Sequence, residues 1–317
     1  MTDPHAVART WTSLNDAVSR AVVGAEEPLR LLAITLLAGG HALIEDVPGV
    51  GKTILARAFA RALGLGFGRI QGTPDLLPTD VTGSSVLADG RFRFIPGPIF
   101  TNVVLVDEVN RATPRTQSAL LEAMQEQQVS VDGETRPLPD PFLILATQNP
   151  IELEGTFALP EAQLDRFLVR ISIGYPDEAG ERRIAARYRA AAEPLEEIAA
   201  VIAADEIGPL RDATRAVTVG DEVEAYVVRL VRATREHADL RLGASPRASV
   251  ALYRAAQASA LLDGRDFVLP DDVRGLAPAV LAHRLVVDVD RELRGVTAAS
   301  VLAEVVESVP IGVGSGA

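Results

Sequence analysis

The stretch Glu45–Thr53, EDVPGVGKT, decides how the rest of the chain is read. It holds Lys52, the only lysine in a chain of 317 residues that otherwise uses arginine. A surface lysine exchanges for arginine at little cost, but a site that needs a compact ammonium on a flexible stem does not tolerate the exchange. A lysine reaching between the last two phosphates of a nucleotide is such a site. The stretch fits G-x-x-x-x-G-K-[ST] at Gly51, Lys52 and Thr53, with Asp46 standing where the first glycine is expected. Ala42–Glu45 reads as a short buried strand, and Thr53–Leu63 (TILARAFARAL) as a helix with apolar residues at helical spacing. Pro48-Gly49 and Gly51 then make a turn whose backbone N–H groups face phosphate oxygens at a helix N-terminus. Asp46, Val47, Pro48, Gly49, Val50, Gly51, Lys52, Thr53 and Ile54 are therefore the expected nucleotide-binding residues. Asp46 either caps the loop by accepting a backbone N–H or slightly repels phosphate.

Composition narrows the alternatives. Apolar residues make up 48% of the chain, enough for a sizeable core. A net charge of -12 disfavours unspecific binding to nucleic acid or anionic membranes. There is no cysteine, hence no disulfide framework or thiolate chemistry, which fits a cytoplasmic protein. The N-terminus lacks the apolar core of a signal peptide, and the longest apolar run, Leu31–Ile44, is too short to span a bilayer. His5, His41, His237 and His283 are scattered without metal-ligand spacing.

Along the chain, Leu14–Val23 and Pro28–Ala38 read as helices before the first strand. Gly66–Gly72 suits a second strand. Ser84–Ala88 and Arg91–Ile95 flank Asp89-Gly90, a hairpin signal, and Val129–Leu138 holds a second Asp-Gly. Thr101–Val106 is apolar on both faces, as a central parallel strand is. Helix Pro114–Gln127, strand Phe142–Ala146, short helix Leu159–Arg166 and strand Leu168–Ile173 follow. Alternating strands and helices argue for a parallel sheet covered on both faces. Pro176 marks a boundary, after which helices are expected over Glu178–Ala192, Leu195–Ala204, Asp221–His237, Pro246–Leu262, Pro270–Ala282 and Thr297–Val309. The expected units are 1–175 and 176–317.

A phosphate loop needs an acidic partner, and VVLVDE (Val103–Glu108) delivers two carboxylates at the C-terminal end of an apolar strand. Asp107 would hold Mg²⁺ opposite the Thr53 hydroxyl. Glu108 would polarise the attacking water. Asn149, at the tip of the next strand, could bond the γ-phosphate or that water.

GVGKT, LVDE and TQNP in this order resemble an AAA+ ATPase. The blocks Val106–Gly133, Ala146–Phe167 (ATQNPIELEGTFALPEAQLDRF), Ile70–Ser84, Gly243–Leu252 (GASPRASVAL) and Phe267–Arg284 are similar to the MoxR family within AAA+. The resemblance implies an α/β P-loop core, with a parallel five-stranded sheet between helices, and a C-terminal all-α lid domain. It implies ATP and Mg²⁺ as cofactors. Asn149 matches the sensor-1 residue. Arg166 matches the arginine finger that reaches a neighbouring subunit's ATP, with Arg111 and Arg115 as competitors. Arg247 matches sensor 2, contacting ATP in its own subunit. The family implies a homo-oligomer, expected to be a hexamer, that remodels or matures protein partners, often von Willebrand factor A domain proteins, and can aid metal-cofactor insertion. Neither hairpin is read as basic, which favours a protein partner over the alternative, a nucleic-acid remodeller. A third reading, a nucleotide-gated binding module without useful turnover, rests on Asp46 alone.

Overall fold

In the computed structural model, residues 3–88, 90–149, 155–187, 195–196 and 198–312 are described. The chain opens with helices α1 (Pro4–Ser19) and α2 (Glu26–Ala38). Strand β1 (Ala42–Glu45), helix α3 (Lys52–Ala62), strand β2 (Phe67–Gln71) and the short α4 (Pro78–Thr82) follow. Next come the hairpin β3 (Gly83–Ala88) and β4 (Arg91–Pro96), strand β5 (Val103–Asp107) and helix α5 (Pro114–Glu126). A second hairpin, β6 (Gln128–Val131) with β7 (Glu134–Pro137), precedes β8 (Leu143–Gln148), α6 (Glu161–Leu164) and β9 (Val169–Ile171). The remainder comprises α7 (Glu178–Arg187), α8 (Ile207–Arg215), α9 (Asp221–Glu236), β10 (Leu240–Leu242), α10 (Pro246–Leu262), α11 (Pro270–Leu281), β11 (Val286–Val287), α12 (Val289–Glu292) and α13 (Ala298–Ser308).

The central sheet has five strands in the order β2-β5-β8-β1-β9; they are parallel, as the alternating pattern leads one to expect, and their number is the one the family resemblance implies. Alternation along each strand splits the core. Val103 and Leu105 face an apolar layer shared with α1, α2, α3 and the lid helices, whereas Val104 and Val106 face one shared with α5. The first layer is continuous: Leu32 of α2, Leu145 of β8 and Leu230 and Leu252 of the lid belong to one cluster. The N-terminal helices thus fill the space between sheet and lid.

Several boundaries differ from the sequence reading. Helix α1 starts at Pro4 rather than Leu14, because Asp3 caps it by accepting the His5 N–H at 3.0 Å and proline suits the first turn. The expected helix Leu195–Ala204 is not formed by the described residues there. That stretch instead satisfies its backbone against α3: Arg61 donates to the carbonyls of Ile198 and Glu196, and Val201 N–H to the carbonyl of Ala62. Helix α8 was missed because Gly208 and Pro209 break its pattern, although proline in a first turn is tolerated. Helix α7 runs to Arg187, and its expected extension to Ala192 lies outside the described residues, as do Asp89 of the first hairpin turn and residues 150–154 of the quoted motif. The short helix ends at Leu164, freeing Asp165 and Arg166. Among the described residues the lid is mainly helical and also carries the ribbon β10–β11, whose strands are too short to signal in sequence. The first hairpin also displays exposed Arg91 and Arg93, so it is not without basic charge. The two hairpins touch through Arg136, whose guanidinium stacks over Phe94 at 4.0 Å from the ring centroid. No described helix is long and apolar enough to cross a membrane.

Candidate functional site

The loop between β1 and α3 turns on Gly49 (φ +87°) and Gly51 (φ +90°), and a Cβ at either would meet open space. These left-handed conformations exclude most side chains by backbone strain rather than crowding. Gly51 precedes a helix with no side-chain cap and no acid in its first turn, so the first N–H groups of α3 point outward unneutralised. Thr53 lies in that first turn, half-buried like Val47 and Val50, while Pro48 and Ile54 are exposed. Lys52 folds back, and its Nζ donates to the carbonyl of Asp46 at 2.6 Å. Partial burial holds the Lys52 pKa below the usual lysine value, against the pull of Asp46, Asp107, Glu108 and Glu45.

Asp46 does cap its loop, its Oδ1 accepting the Val47 N–H at 2.8 Å, but its other oxygen turns away from the cradle. Oδ2 accepts from Ile173 N–H at 2.6 Å, Gly174 N–H at 2.7 Å and the Ser172 hydroxyl at 3.2 Å. Partial burial disfavours the charged form, yet the N–H groups of Gly174, Val47 and Ile173 outweigh it and lower the pKa. Repulsion of phosphate, the other expectation, does not fit a carboxylate so engaged.

The acids lie at the same sheet edge. Asp107 ends β5, and Thr147 of β8 donates to its Oδ1 at 2.6 Å. The same Thr147 hydroxyl accepts the Glu108 N–H at 2.9 Å. Glu108 has φ +54°, uncommon for a residue with a side chain, and such strain persists only where neighbours impose it. A Cβ on Gly72 would collide with the Glu108 carbonyl oxygen, so the approach of β2 depends on glycine there. Arg69 Nη2 donates to Asp107 Oδ2 at 2.6 Å and to Gln71 Oε1 at 2.8 Å, and Gln71 Nε2 donates to Glu108 Oε2 at 3.2 Å. Arg111 pairs with Glu108 of its own chain at 3.3 Å, beside the acids at the sheet edge. Asn149 directly follows β8, whose Gln148 is in register with Glu45, so it stands beside the start of the loop. Arg69, Gln71 and Thr147 are not singled out by the sequence: Arg69 has the look of an exposed residue in mid-strand and Gln71 and Thr147 of polar strand ends, and only strand order brings them to the acids.

Arg166 and Arg247 lie elsewhere. Both line a cavity of about 200 Å³ together with Gly39–His41, Met124, Asp165, Leu168, Arg254 and Arg284. Gly39–His41 and Leu168 precede β1 and β9, so this cavity is at the N-terminal edge of the sheet. The length of β1, about 13 Å at the usual strand rise, separates it from the loop. Arg247 thus stands at the sheet edge away from its own chain's loop, whereas the sequence reading has it contacting ATP in its own subunit. Arg166 Nη1 donates to the Leu121 carbonyl at 2.9 Å, and its buried Nε has no partner among the described residues. Asp165, the one carboxylate lining the cavity, is held by Arg284 Nε at 2.8 Å and by the Ser245 hydroxyl at 2.9 Å. With Asp165 so held by Arg284, no ion pair to Arg166, Arg247 or Arg254 is formed among the described residues, although Glu122 and Glu126 line a neighbouring cavity with Arg166. Arg115 is exposed in the first turn of α5 and outside this cavity.

The donor set at the loop fits a polyphosphate with a hard cation: uncapped helix N–H groups, a half-buried ammonium, a threonine hydroxyl and an aspartate whose oxygens are already oriented. The family described as ATPases associated with various cellular activities (AAA) matches residues 41–169, and the AAA lid domain matches residues 232–305. The chain is 47% identical to the uncharacterized protein YeaC of Bacillus subtilis over 93% of this chain and 92% of that one. It is 43% identical to Chaperone MoxR1 of Mycobacterium tuberculosis, over 93% of this chain and 80% of that one. A solved structure from Cytophaga hutchinsonii, provisionally named an ATPase, superposes with TM-score 0.92 at 37% identity, covering 98% of this chain and 97% of its own. With the loop, the acid pair and the lid in this arrangement, and relatives of this identity over nearly the whole length, the chain belongs to the MoxR family of AAA+ ATPases.

Proposed function

We propose that the chain hydrolyses ATP with Mg²⁺ at a site completed by a second copy of itself, and that turnover drives remodelling, assembly or maturation of a protein partner. The observation that carries this reading is the split between sheet edges: Lys52, Asp107 and Glu108 at one, Arg166 and Arg247 at the other. Phosphoryl transfer depends on positioning and charge stabilisation. A chain with its groups so divided supplies both only when copies pack head to tail, an arrangement that makes a ring when the rotation between copies closes.

In this reading the N–H groups of Gly49, Val50, Gly51, Lys52, Thr53 and Ile54 and the Lys52 ammonium cradle the phosphates, Asp46, Val47 and Pro48 shape the loop, and Thr53 and Asp107 hold the metal. Mg²⁺ bound there offsets charge on the phosphate oxygens. Glu108 polarises the attacking water, and Gln71 and Arg111 restrain its carboxylate beforehand. Asn149 orients the same water or the terminal phosphate. Arg166 and Arg247 of one copy stabilise charge at the next copy's nucleotide. Residues 1–175 form the nucleotide-binding unit and 176–317 the lid, the ring is a hexamer, and the compartment is the cytoplasm.

A protein partner is supported by the first hairpin, where Leu87 and Phe92 sit in register and Phe92 is 80% exposed. An apolar pair of this kind suits protein contact better than a phosphate backbone. The relative named a chaperone supports the same reading. A von Willebrand factor A domain partner and a part in metal-cofactor insertion extend it along the family resemblance.

The test is Glu108→Gln. The variant should bind ATP as the parent does and lose about 10²-fold or more in turnover, the size of a general-base contribution. Turnover at the parental rate would remove Glu108 from this role.

A further inference from the structure

In that scheme the Asp46 side chain has no work to do at the phosphate, since its carboxylate faces the other way. Its partners point to another role. Ser172, Ile173 and Gly174 are the first residues beyond β9, and they begin the link that runs to α7 and the lid. Asp46 Oδ2 gathers donors from all three, at 3.2, 2.6 and 2.7 Å. Bonds from several N–H groups to one ionised carboxylate are short and strong, and Asp46 is only 8% exposed. Gly174 has φ +73°, a backbone conformation that favours glycine, so the link turns immediately after the residues Asp46 holds. Further along the link, the Asp177 carboxylate accepts the Gly180 N–H at 2.7 Å inside the first turn of α7. At the other end of the same residue, the Asp46 carbonyl receives Lys52 Nζ at 2.6 Å. One residue therefore holds the phosphate-seeking lysine by its backbone and the lid link by its side chain. A glycine at position 46, as the usual loop pattern has, would leave the Ile173 and Gly174 N–H groups without this acceptor.

We propose that Asp46 is a positioning residue that couples the phosphate loop to the core-to-lid link: release of Lys52 from the Asp46 carbonyl onto phosphate is passed through Asp46 to Ser172–Gly174. Because the lid carries Arg247, occupancy of one chain's loop is thereby communicated to the surface that chain presents to its neighbour. The inference rests on the nucleotide reading through Lys52 alone.

Hydrogen exchange at Ile173 and Gly174, with and without Mg²⁺-ADP, tests it in the intact protein alongside Asp46→Asn, Asp46→Gly and Asp46→Glu. In the parent, exchange at these two amides should change on adding Mg²⁺-ADP. In Asp46→Asn and Asp46→Gly it should be about 10-fold faster and indifferent to nucleotide. Fluorescent-nucleotide affinity should stay within about 3-fold while kcat falls about 10-fold, a split that a merely structural role does not produce. Asp46→Glu, which keeps the charge, should restore part of the nucleotide response. Asp46→Asn amides that still respond to nucleotide like the parent's would overturn the proposal. So would a loss of nucleotide affinity equal to the loss of turnover, which would make Asp46 part of the cradle. A parent that bound no nucleotide would instead defeat the nucleotide reading. Unaltered exchange in nucleotide-free Asp46→Asn would then defeat the latch independently.

Discussion

Arg284 donates through Nε to Asp165 Oδ1 at 2.8 Å, with only 2% of the arginine side chain exposed. The same guanidinium donates to the carbonyls of Phe167 at 2.6 Å and Leu168 at 3.2 Å, and to that of Val280. Burial lowers the Arg284 pKa, and Asp165 opposes that shift. The pair pins the start of β9 to the end of α11, and Arg166 is the next residue along from Asp165. A buried arginine at the junction of core and lid thus sets where the proposed finger stands.

Removing one partner of a buried pair leaves the other charged and unpaired. Arg284→Ala should lower stability by about 3–5 kcal/mol, read from urea unfolding. Arg284→Lys keeps the charge but loses the planar fork, and should fall between the two. A change below 0.5 kcal/mol on Arg284→Ala, the scale of an ordinary surface substitution, would contradict this account.

His41 gives a pH dependence with a definite sign. Its Nε2–H donates to the Met124 carbonyl at 2.9 Å while Nδ1 accepts the Ile144 N–H at 3.0 Å, a pattern only the neutral ring can satisfy. Burial lowers its pKa from 6.5 to about 4, with Arg211 adding to the shift. Between these values the unfolded chain binds a proton that the native chain refuses. Stability should therefore fall as pH drops from about 6.5 to about 4, by up to about 3 kcal/mol, and this contribution should level off below pH 4. His283 is also buried with a lowered pKa and acts in the same direction. His41→Gln should flatten the His41 share, and an unchanged slope in that variant would contradict the assignment.

The division of the site between sheet edges predicts complementation. Lys52→Ala and Arg166→Ala should each be inactive alone, yet recover about a quarter of parental turnover when mixed in equal amounts and assembled at random. The same recovery is expected for Lys52→Ala with Arg247→Ala. If Arg247 served its own chain's nucleotide, that second mixture would stay inactive, because each chain with an intact loop would lack its own Arg247.

Both Asp107 oxygens are engaged, one by Thr147 and one by Arg69. A cation at Oδ2 would therefore meet the positive charge of the Arg69 guanidinium already bound there. Arg69→Ala should lower the Mg²⁺ concentration that half-saturates metal-dependent nucleotide binding by about 5-fold, roughly 1 kcal/mol. An unchanged or raised midpoint in a fluorescent-nucleotide titration would show that Arg69 imposes no such competition.

Local chemistry made part of this molecule legible without coordinates. Gly49 and Gly51 ahead of Lys52 mark the turn into α3, and Asp107 after four apolar residues marks the end of β5, because a buried parallel strand must be apolar on both faces and must end where charge begins. The alternation of strands and helices is a local pattern too, and it sufficed for the parallel sheet. Helix α8 was hidden by Gly208-Pro209, and the stretch from Leu195 looked helical because its apolar spacing answers to α3 rather than to its own turns.

By itself the sequence determined the sheet, the loop and the acids, since each depends on residues close along the chain. Only the tertiary structure decided what those residues face. Strand order, which no local pattern encodes, brought Arg69, Gln71 and Thr147 to Asp107 and Glu108. Packing of the lid put Arg247 beside Arg166 on the edge away from Lys52. Asp46 was visible from the start as a departure from the loop pattern. Its reason lies more than a hundred residues away, at Ile173 and Gly174, because a carboxylate takes its partners through space rather than along the chain.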